Sequence, residues 1–269
     1  MYWVYGIPTH LLGLLVTSLF VFGSMAGLLL TRPLIKRYFV KRGHHNEITS
    51  YYFGAISLLY ALILGQVTAI TYQNYEQAKK TVANEASSII RLFNELEGYP
   101  HPQKETLENY LFGYVQQVIA IDWQEHREGL VSNISSVKLE EMEAMILKYE
   151  PQTETQKILH SQVLETLNEV VEARSERSLM VGTGLPAPFW FVILFGSMIT
   201  IFTSYLFYFE NLRLHIFLVS SFSSIIGLVV FLSLAMDHPF RGDVSVTVDG
   251  YLDAQAFASE LRSQREVKH

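Results

Sequence analysis

Charge distribution constrains the fold of this chain more than any other feature of its sequence. The chain has 20 Lys and Arg and 26 Asp and Glu among 269 residues, but four long windows contain none of them. These windows are residues 1–30, 51–75, 187–209 and 214–236. Each is long enough for a helix to cross a hydrocarbon core about 30 Å thick, and a charge at the centre of such a helix is costly. We therefore predict an all-α membrane protein with four spans, at about residues 10–30, 51–71, 187–208 and 213–236.

The segments between the spans differ in charge. Residues 31–50 form a loop with five basic residues and one acidic residue, whereas residues 72–186 carry ten basic and eighteen acidic residues. Short basic loops stay in the cytoplasm, while long loops are translocated largely regardless of charge. The N-terminus, the acidic domain and the C-terminus are therefore predicted on the non-cytoplasmic side. The predicted organisation is membrane helices 1 and 2 with the basic loop (1–71), the acidic helical domain (72–186), a membrane hairpin of helices 3 and 4 (187–236) and a C-terminal tail (237–269).

The acidic domain lacks the alternating pattern of strands and has apolar residues at helical spacing, which predicts an all-helical fold. The second span continues without a breaker, so one helix is predicted from about residue 50 to 97. Further helices are predicted at about 103–128 and 136–149. A last helix begins at Thr153, because Thr153 and Gln156 have the spacing of a capping box. We predict that these helices form an extramembrane antiparallel bundle between spans two and three.

One face of the second span carries small and hydroxyl side chains. These residues recur at steps of three and four and are Ser50, Gly54, Ser57, Ala61, Gly65, Thr68 and Tyr72. In a membrane such a stripe either lets helices approach closely or borders water along a pore, and the pattern alone leaves both uses open. If the second helix lines a pore, these seven residues are the pore-lining candidates. Glu47, just before the span, would then form a ring of carboxylates at the cytoplasmic mouth.

Other polar residues near the spans have a simpler structural interpretation. Serine clusters on membrane helices usually bond their own backbone or a neighbouring helix. We therefore favour helix packing over ion coordination for the cluster in the fourth span, which comprises Ser220, Ser221, Ser223, Ser224 and Gly227. Charged residues at the membrane boundary are expected to form interfacial ion pairs that fix the ends of the helices. These residues are Glu210, Arg213, Asp237 and Arg241.

The sequence argues against several other classes of function. There are no cysteines, which excludes disulfides, thiolate nucleophiles and zinc–cysteine sites. The histidines show no ligand spacing, and phosphate-binding loops and serine-nucleophile motifs are missing. The spans also lack the ionisable residues and broken helices of coupled transporters. We therefore predict no catalytic residues, no metal site and no cofactor. The expected partners are the lipid bilayer, further copies of the chain and inorganic ions, with no nucleic acid.

Short motifs follow one another over about residues 45–245. They are Asn46-Glu47, Leu59-Tyr60-Ala61-Leu62, Tyr72-Gln73-Asn74-Tyr75, Glu85-Ala86, Pro100-His101-Pro102, Asp122-Trp123, Ile199-Thr200-Ile201-Phe202-Thr203, Arg213-Leu214-His215 and Asp237-His238-Pro239-Phe240-Arg241-Gly242. In order and spacing they resemble the bestrophin-like domain family of bacterial integral membrane proteins. The resemblance implies a location in the bacterial inner membrane and a distant likeness to bestrophins, pentameric ion channels whose second membrane helix lines the pore. Bestrophins place the domain between spans two and three in the cytosol, whereas the charge bias of this chain predicts the opposite side.

The combined expectation is an oligomeric channel, most simply a pentamer, with the second span around its axis. The acidic domain would concentrate cations near the entrance, which weakly favours cation permeation. The alternative hypothesis is a non-conducting membrane scaffold or sensor, in which the stripe only packs helices and the helical domain binds a partner. An enzyme is the least favoured of the three classes. A wet or a dry central axis in the oligomer distinguishes the first two hypotheses.

Overall fold

The computed structural model describes residues 2–38, 45–131 and 134–266, and all regular structure in these residues is helical. The α-helices are α1 (Thr9–Tyr38), α2 (His45–Leu96), α3 (Gln103–Gln117), α4 (Trp123–Glu128), α5 (Ile134–Lys148), α6 (Glu154–Val181), α7 (Ala187–Tyr205), α8 (Leu212–Met236) and α9 (Asp249–Glu266). A short 3-10 helix (Tyr2–Gly6) precedes α1, and a π-helical turn (Val118–Asp122) joins α3 to α4. Helices α1, α2, α7 and α8 are long and apolar enough to cross a membrane, in agreement with the four predicted spans.

The helix of the first span ends later than the sequence predicts. Helix α1 continues through Pro33 to Tyr38, so Arg32, Lys36 and Arg37 belong to a helix rather than to the predicted loop. Charge limits the stretch that can lie in hydrocarbon, but it does not end a helix, and the buried Ile35 holds this last part of α1 against the core. The middle of the predicted loop, residues 39–44, lies outside the described residues.

Two local predictions are confirmed in the long connection. Helix α2 is one continuous helix of 52 residues. The capping box at the start of α6 is also present: the Gln156 backbone N–H donates to Thr153 Oγ1, and the Thr153 N–H donates to Gln156 Oε1, both at 3.2 Å. The helix predicted at 103–128 is instead interrupted by the π-helical turn, which places one extra residue in the helical ladder.

The chain forms two compact units. The first, called here the membrane unit, comprises residues 1–74, 184–237 and 242–244; the second unit comprises residues 75–183, 238–241 and 245–269. Helix α2 begins in the membrane unit and ends in the second unit.

Small side chains allow the helices of the membrane unit to pack closely. The Oγ atoms of Ser24 in α1 and Ser223 in α8 lie 2.8 Å apart and share a hydrogen bond. A Cβ added to Gly227 would lie 3.2 Å from the Cα of Thr17, so α1 and α8 meet at this glycine. These contacts support the structural interpretation of the serine cluster in the fourth span. The surrounding core includes Leu12, Leu28, Tyr60, Leu64, Ile193, Val219 and Ile226.

The second unit has a separate apolar core to which the C-terminal segment contributes. Core residues from α2, α3, α5 and α6 include Ile89, Leu92, Leu111, Tyr114, Met142, Ile146, Val163 and Val170. Tyr251, Ala254 and Ala258 of α9 are also fully buried in this core. The segment predicted only as a C-terminal tail therefore contains a core helix, with residues 267–269 outside the described chain. Its buried positions are mostly alanines, which give a weak apolar signal although their spacing is helical.

Candidate functional site

The small-residue stripe on α2 lies beside the face that packs in the protomer. Tyr60, Leu64, Val67 and Thr71 form the buried face of the membrane half of α2. At 100° per residue, the centre of the stripe lies about a quarter turn away from this face. Five stripe residues are exposed (Ser50, Gly54, Ala61, Gly65 and Tyr72), and two are half-buried (Ser57 and Thr68).

No described helix of the chain packs closely on the exposed part of the stripe. A Cβ added to Gly54 or Gly65 would meet no atom of the described chain within 4 Å. Thr68, near the far end of the stripe, forms a cross-helix hydrogen bond, with its Oγ1 2.8 Å from Ser233 Oγ. Packing within one chain therefore does not explain why small residues occupy this face. Contact with another copy and contact with water along a pore are the two uses that the sequence pattern leaves open.

The hydroxyl groups of the stripe bond to their own helix. Ser50 Oγ donates to the Glu47 carbonyl at 2.7 Å, and Ser57 Oγ donates to the Phe53 carbonyl at 2.6 Å. A hydroxyl that donates to the backbone keeps lone pairs that can accept. Ser50 and Ser57 therefore add oxygen acceptors to the part of the stripe whose other members are Gly54, Ala61 and Gly65.

Tyr60 fixes the rotation of α2 in the membrane unit. Its hydroxyl donates to the Ile193 carbonyl at 2.9 Å and lies 2.6 Å from Ser197 Oγ, both on α7. The close fit requires a glycine, since a Cβ on Gly196 would come within 2.5 Å of the Tyr60 ring. Because this contact sets which side of α2 faces α7, it also sets the direction in which the stripe points.

The start of α2 is tied to the connection between α7 and α8. The Asn46 amide donates to the Tyr208 carbonyl at 2.8 Å and accepts from the Tyr208 N–H at 2.9 Å. His45 Nε2 donates to the Leu206 carbonyl at 2.7 Å. Glu47 follows in the first turn of α2, is exposed, and lies on the same row as Ser50 and Gly54. A carboxylate in the first turn is also favoured by the helix dipole.

The four charged residues expected at the membrane boundary have different surroundings. Asp237 Oδ1 accepts from the Leu185 N–H at 2.6 Å, which holds the chain before α7 against the end of α8. Arg241 Nη2 donates to the Glu128 carbonyl at 2.5 Å in the second unit. Glu210 and Arg213 are exposed, and neither is ion-paired with another described residue. Backbone groups are thus among the partners of Asp237 and Arg241, and the ion pairs stay a prediction.

The second unit contains a buried ionic cluster that was not predicted from the sequence. Arg177 of α6 donates from Nε to Glu85 Oε2 at 2.8 Å and from Nη2 to Glu85 Oε1 at 3.2 Å. Asp122 Oδ2 lies 3.7 Å from the same Nη2, and the Tyr114 hydroxyl donates to Glu85. Both Glu85 and Arg177 are 0% exposed. The bidentate pair joins the second half of α2 to α6.

Burial shifts the pKa values of the groups around this pair. It raises the pKa of Asp122, although the Ser135 hydroxyl and Arg177 act in the opposite direction. Burial and the nearby Arg177 and Arg174 cations lower the pKa of His126 to about 3. His126 is therefore neutral at physiological pH, so its ring nitrogen can accept from Arg177 Nη1, 3.2 Å from Nδ1.

The cluster joins α2, the π-helical turn and α6. No group of three or more His, Asp or Glu that could hold a metal ion occurs among the described residues. The sequence did contain a signal for the cluster: Glu85 lies between Val82 and Ile89 on the buried row of α2, and Arg177 follows Val170 and Ala173 on that of α6. A charge at such a position predicts a buried partner, because an unpaired buried charge is very unfavourable.

A family model described as a bestrophin-like domain matches residues 18–251. The chain belongs to the bestrophin-like family. No curated protein matches its sequence. This bestrophin-like chain is similar in structure to a variant of a bacterial bestrophin homologue from Klebsiella pneumoniae, with a TM-score of 0.71 and 10% identity over 91% of this chain and 98% of that one.

Other solved structures give a similar result. A second variant of the Klebsiella pneumoniae homologue has a TM-score of 0.69 and 12% identity, covering 91% of this chain and 97% of that one. A variant described as a membrane protein has a TM-score of 0.68 and 10% identity, covering 92% and 97%. At these identities the likeness establishes the bestrophin fold alone. Four residues from the motifs that resemble the family have observed contacts. Asn46 and Tyr60 hold α2 in place, and Glu85 and Asp122 belong to the buried ionic cluster.

Proposed function

We propose that the protein is an oligomeric ion channel of the bacterial inner membrane, with a pore lined by the stripe on α2. The observation that carries this proposal is the small, hydroxyl-bearing face that no described helix of the chain covers around Gly54 and Gly65. Membership of the bestrophin-like family and the fold shared with bacterial bestrophin homologues support it. The pore-lining candidates are Ser50, Gly54, Ser57, Ala61, Gly65, Thr68 and Tyr72.

In this proposal, the stripes of several copies of the same chain face one another around a common axis. Helix contacts in lipid depend on close packing and interhelical hydrogen bonds, and a face of Gly, Ala and Ser offers little to lipid chains on its own. Closed cyclic symmetry places the same face of every copy around one axis. The resemblance to bestrophins favours five copies. Mass measurement of the purified protein in mild detergent is expected to give one closed oligomer, and a monodisperse monomer would contradict the channel.

Charge favours cations over anions in this pore. The segment 72–186 carries eighteen acidic and ten basic residues, and each copy adds Glu47 at the start of α2. Rings of carboxylates at a pore mouth select cations. In reversal-potential measurements, Glu47→Gln is expected to reduce cation preference because it removes one charge per subunit. An unchanged reversal potential with intact assembly would make Glu47 a residue of the helix end only.

The second unit forms a helical bundle outside the membrane on the non-cytoplasmic side, together with both termini. This orientation follows from the basic residues of segment 31–50. In intact cells, an impermeant thiol reagent is expected to label a cysteine introduced at Gln103 and not one introduced at Gly43. The chain has no native cysteine that would interfere. The reverse labelling would place the second unit in the cytosol, as in bestrophins.

Planar-bilayer recording of the purified full-length oligomer tests the function itself. Discrete openings that are missing from protein-free bilayers are the expected result. The alternative is a scaffold whose stripe packs against the next copy and leaves a dry axis, since small residues also suit tight helix contacts. Silent oligomers of the correct mass, repeated over lipid compositions and voltages, would favour the scaffold.

A further inference from the structure

The membrane unit contains an apolar cavity at the end that carries the basic residues. The cavity has a volume of about 270 Å³, and we call it the Phe53 cavity. It lies among α2, α8 and the α7–α8 connection, and its walls include Phe53, Phe207, Phe209, His215, Leu218 and Phe222. Leu218 is 42% exposed, and Phe53, Phe207 and Phe222 are half-buried, so the cavity opens to the outside of the protomer.

Contacts between aromatic rings fix the positions of the residues that form the cavity walls. The Phe53 ring lies edge-on to Phe207 and Phe222, with centroids 5.4 and 5.2 Å away. Phe209 packs edge-on against His215, with centroids 5.2 Å apart. The α7–α8 connection is itself fixed by His45, Asn46 and the Arg32 side chain, which donates from Nη2 to the Phe209 carbonyl at 2.9 Å. These contacts make the cavity a preformed site.

Arg32 places a positive charge beside the apolar walls. Its guanidinium lies 5.7 Å from the centre of the Tyr208 ring. Its Nη1 atom is buried, and among the described residues it has neither a hydrogen-bond acceptor nor a carboxylate within ion-pair distance. A buried guanidinium N–H without an acceptor is unfavourable. Lys36, one turn further along α1, and Arg37 are exposed and add positive charge at the same helix end.

The charge and the cavity together point to a ligand with an anionic head and an apolar chain. At this depth the available molecule is a membrane lipid. An acyl chain gains little by moving from other lipid tails to phenylalanine side chains, because both are apolar. Selectivity among membrane lipids must therefore come from the lipid head group. Guanidinium groups bind phosphate oxygens well. Basic pockets between membrane helices bind anionic head groups in the same way.

We propose that the Phe53 cavity binds an anionic phospholipid, with one acyl chain between the phenylalanine rings and the phosphate on Arg32. The lipid phosphate supplies the acceptor that Arg32 Nη1 lacks. The ligand also contacts the α7–α8 connection that Asn46 ties to the start of α2. Binding therefore stabilises the end of α2 that carries Glu47. The proposal depends on the four membrane spans and not on ion conduction.

Native mass spectrometry of the full-length oligomer tests the proposal. The protein is mixed with equal amounts of phosphatidylglycerol and phosphatidylcholine of identical chains, and the retained lipids are counted. Wild type is expected to retain phosphatidylglycerol preferentially. Arg32→Gln is expected to lower that preference about fivefold, since one basic residue near anionic lipid contributes about 1 kcal/mol. The matched control is Arg37→Gln, which removes the same charge from the same helix end but leaves Arg32 in place.

Four results would overturn the proposal. Equal retention of the two lipids by wild type would remove the role of charge. Equal loss of preference in Arg32→Gln and Arg37→Gln would assign the effect to general surface charge. If soluble glycerol phosphate binds as tightly as phosphatidylglycerol, the ligand is not a lipid. If a neighbouring copy closes the cavity so that no lipid is retained, a lipid is also excluded. If Arg32→Gln fails to assemble, Leu218→Trp, which fills the cavity from its open side, is expected to reduce retention of phosphatidylglycerol.

Discussion

The two units of this protein bury polar groups in different ways. In the membrane unit, buried hydroxyls bond to each other and to helix backbone, as in the Ser24–Ser223 and Tyr60–Ser197 contacts. In the second unit, full charges are buried, and Glu85 and Arg177 form a bidentate pair with no exposed surface. The proposed location of the second unit outside the membrane would account for this difference. A helix inserted into lipid cannot carry charges past the hydrocarbon, whereas a domain that folds in water can bury two charges that pair as they leave solvent.

This difference predicts unequal sensitivity to mutation. Loss of a hydroxyl in the membrane unit removes one hydrogen bond, for which the helix backbone can partly compensate. Loss of one charge in the buried ionic cluster leaves the opposite charge buried without a partner. The largest effects are therefore expected in the second unit, although the membrane unit contains more of the apolar sequence.

Arg177→Met is the variant expected to destabilise the protein most. It leaves the Glu85 carboxylate buried without a counter-ion, which costs about 3–5 kcal/mol of unfolding free energy. The exposed pair of Arg91 and Glu169 provides a matched control, because it also joins α2 to α6 but its side chains are 48% and 43% exposed. Arg91→Met is expected to cost less than about 1 kcal/mol. Thermal melting of the detergent-solubilised full chain compares the two, and equal effects would contradict the distinction between the pairs.

In the membrane unit, Gly196→Ala tests tight packing rather than charge. The added methyl group would lie 2.5 Å from the Tyr60 ring, so Tyr60 must move and weaken its bonds to α7. Such overpacking costs about 1–3 kcal/mol. Gly65→Ala is the control on α2 itself, since its methyl group meets no atom of the described protomer within 4 Å. Melting and oligomer mass are measured for both. A larger loss of assembly in Gly65→Ala would show that the stripe packs against a neighbouring copy.

His126 makes stability depend on pH in the second unit. Its pKa is lowered from 6.5 to about 3 by burial and by Arg177 and Arg174. Below pH 6.5 the unfolded chain binds a proton that folded His126 excludes. The stability from neutral His126 is therefore full above pH 6.5 and is lost towards pH 3, by at most about 1.4 kcal/mol per pH unit. Asp122, whose pKa is raised, contributes the opposite slope.

Comparison of wild type with His126→Gln isolates the contribution of His126, because Asp122 is present in both proteins. The glutamine amide can still accept from Arg177, but it does not titrate. Between pH 7.5 and pH 5.5, the melting temperature of wild type is expected to fall further than that of His126→Gln. Parallel curves for the two proteins would show that His126 binds its proton over the same pH range in the folded and the unfolded state.

The membrane unit was easier to predict from sequence than the second unit. Charge exclusion located the four spans because lipid imposes the same requirement along each whole segment. The continuous α2 and the Thr153 cap followed from local rules. The cluster of Glu85, Asp122 and Arg177 did not, because its members come from distant parts of the chain and charged residues are normally solvated. Helix α9 was missed because alanines supply much of its buried face.

The candidate pore surface was only partly predictable for a related reason. The stripe from Ser50 to Tyr72 is visible in the sequence, but spacing cannot show whether the chain covers its own small residues. The rotation of α2 depends on Tyr60 meeting Gly196, two residues separated by more than half the chain. With α2 in this rotation, a Cβ added to Gly54 or Gly65 meets no atom of the described chain within 4 Å.

A comparison of single-channel recordings from the Ala61→Leu and Ala55→Leu variants tests most directly whether the stripe lines a pore. Both alanines are exposed on α2, but Ala55 lies about a third of a turn from the stripe. Both variants are first required to form oligomers of wild-type mass. A leucine on the pore axis narrows and dewets it, so Ala61→Leu is expected to show lower unitary conductance, while Ala55→Leu conducts as wild type does. Equal conductance of Ala61→Leu and wild type, or no conductance from intact wild-type oligomers, would contradict a pore lined by this stripe.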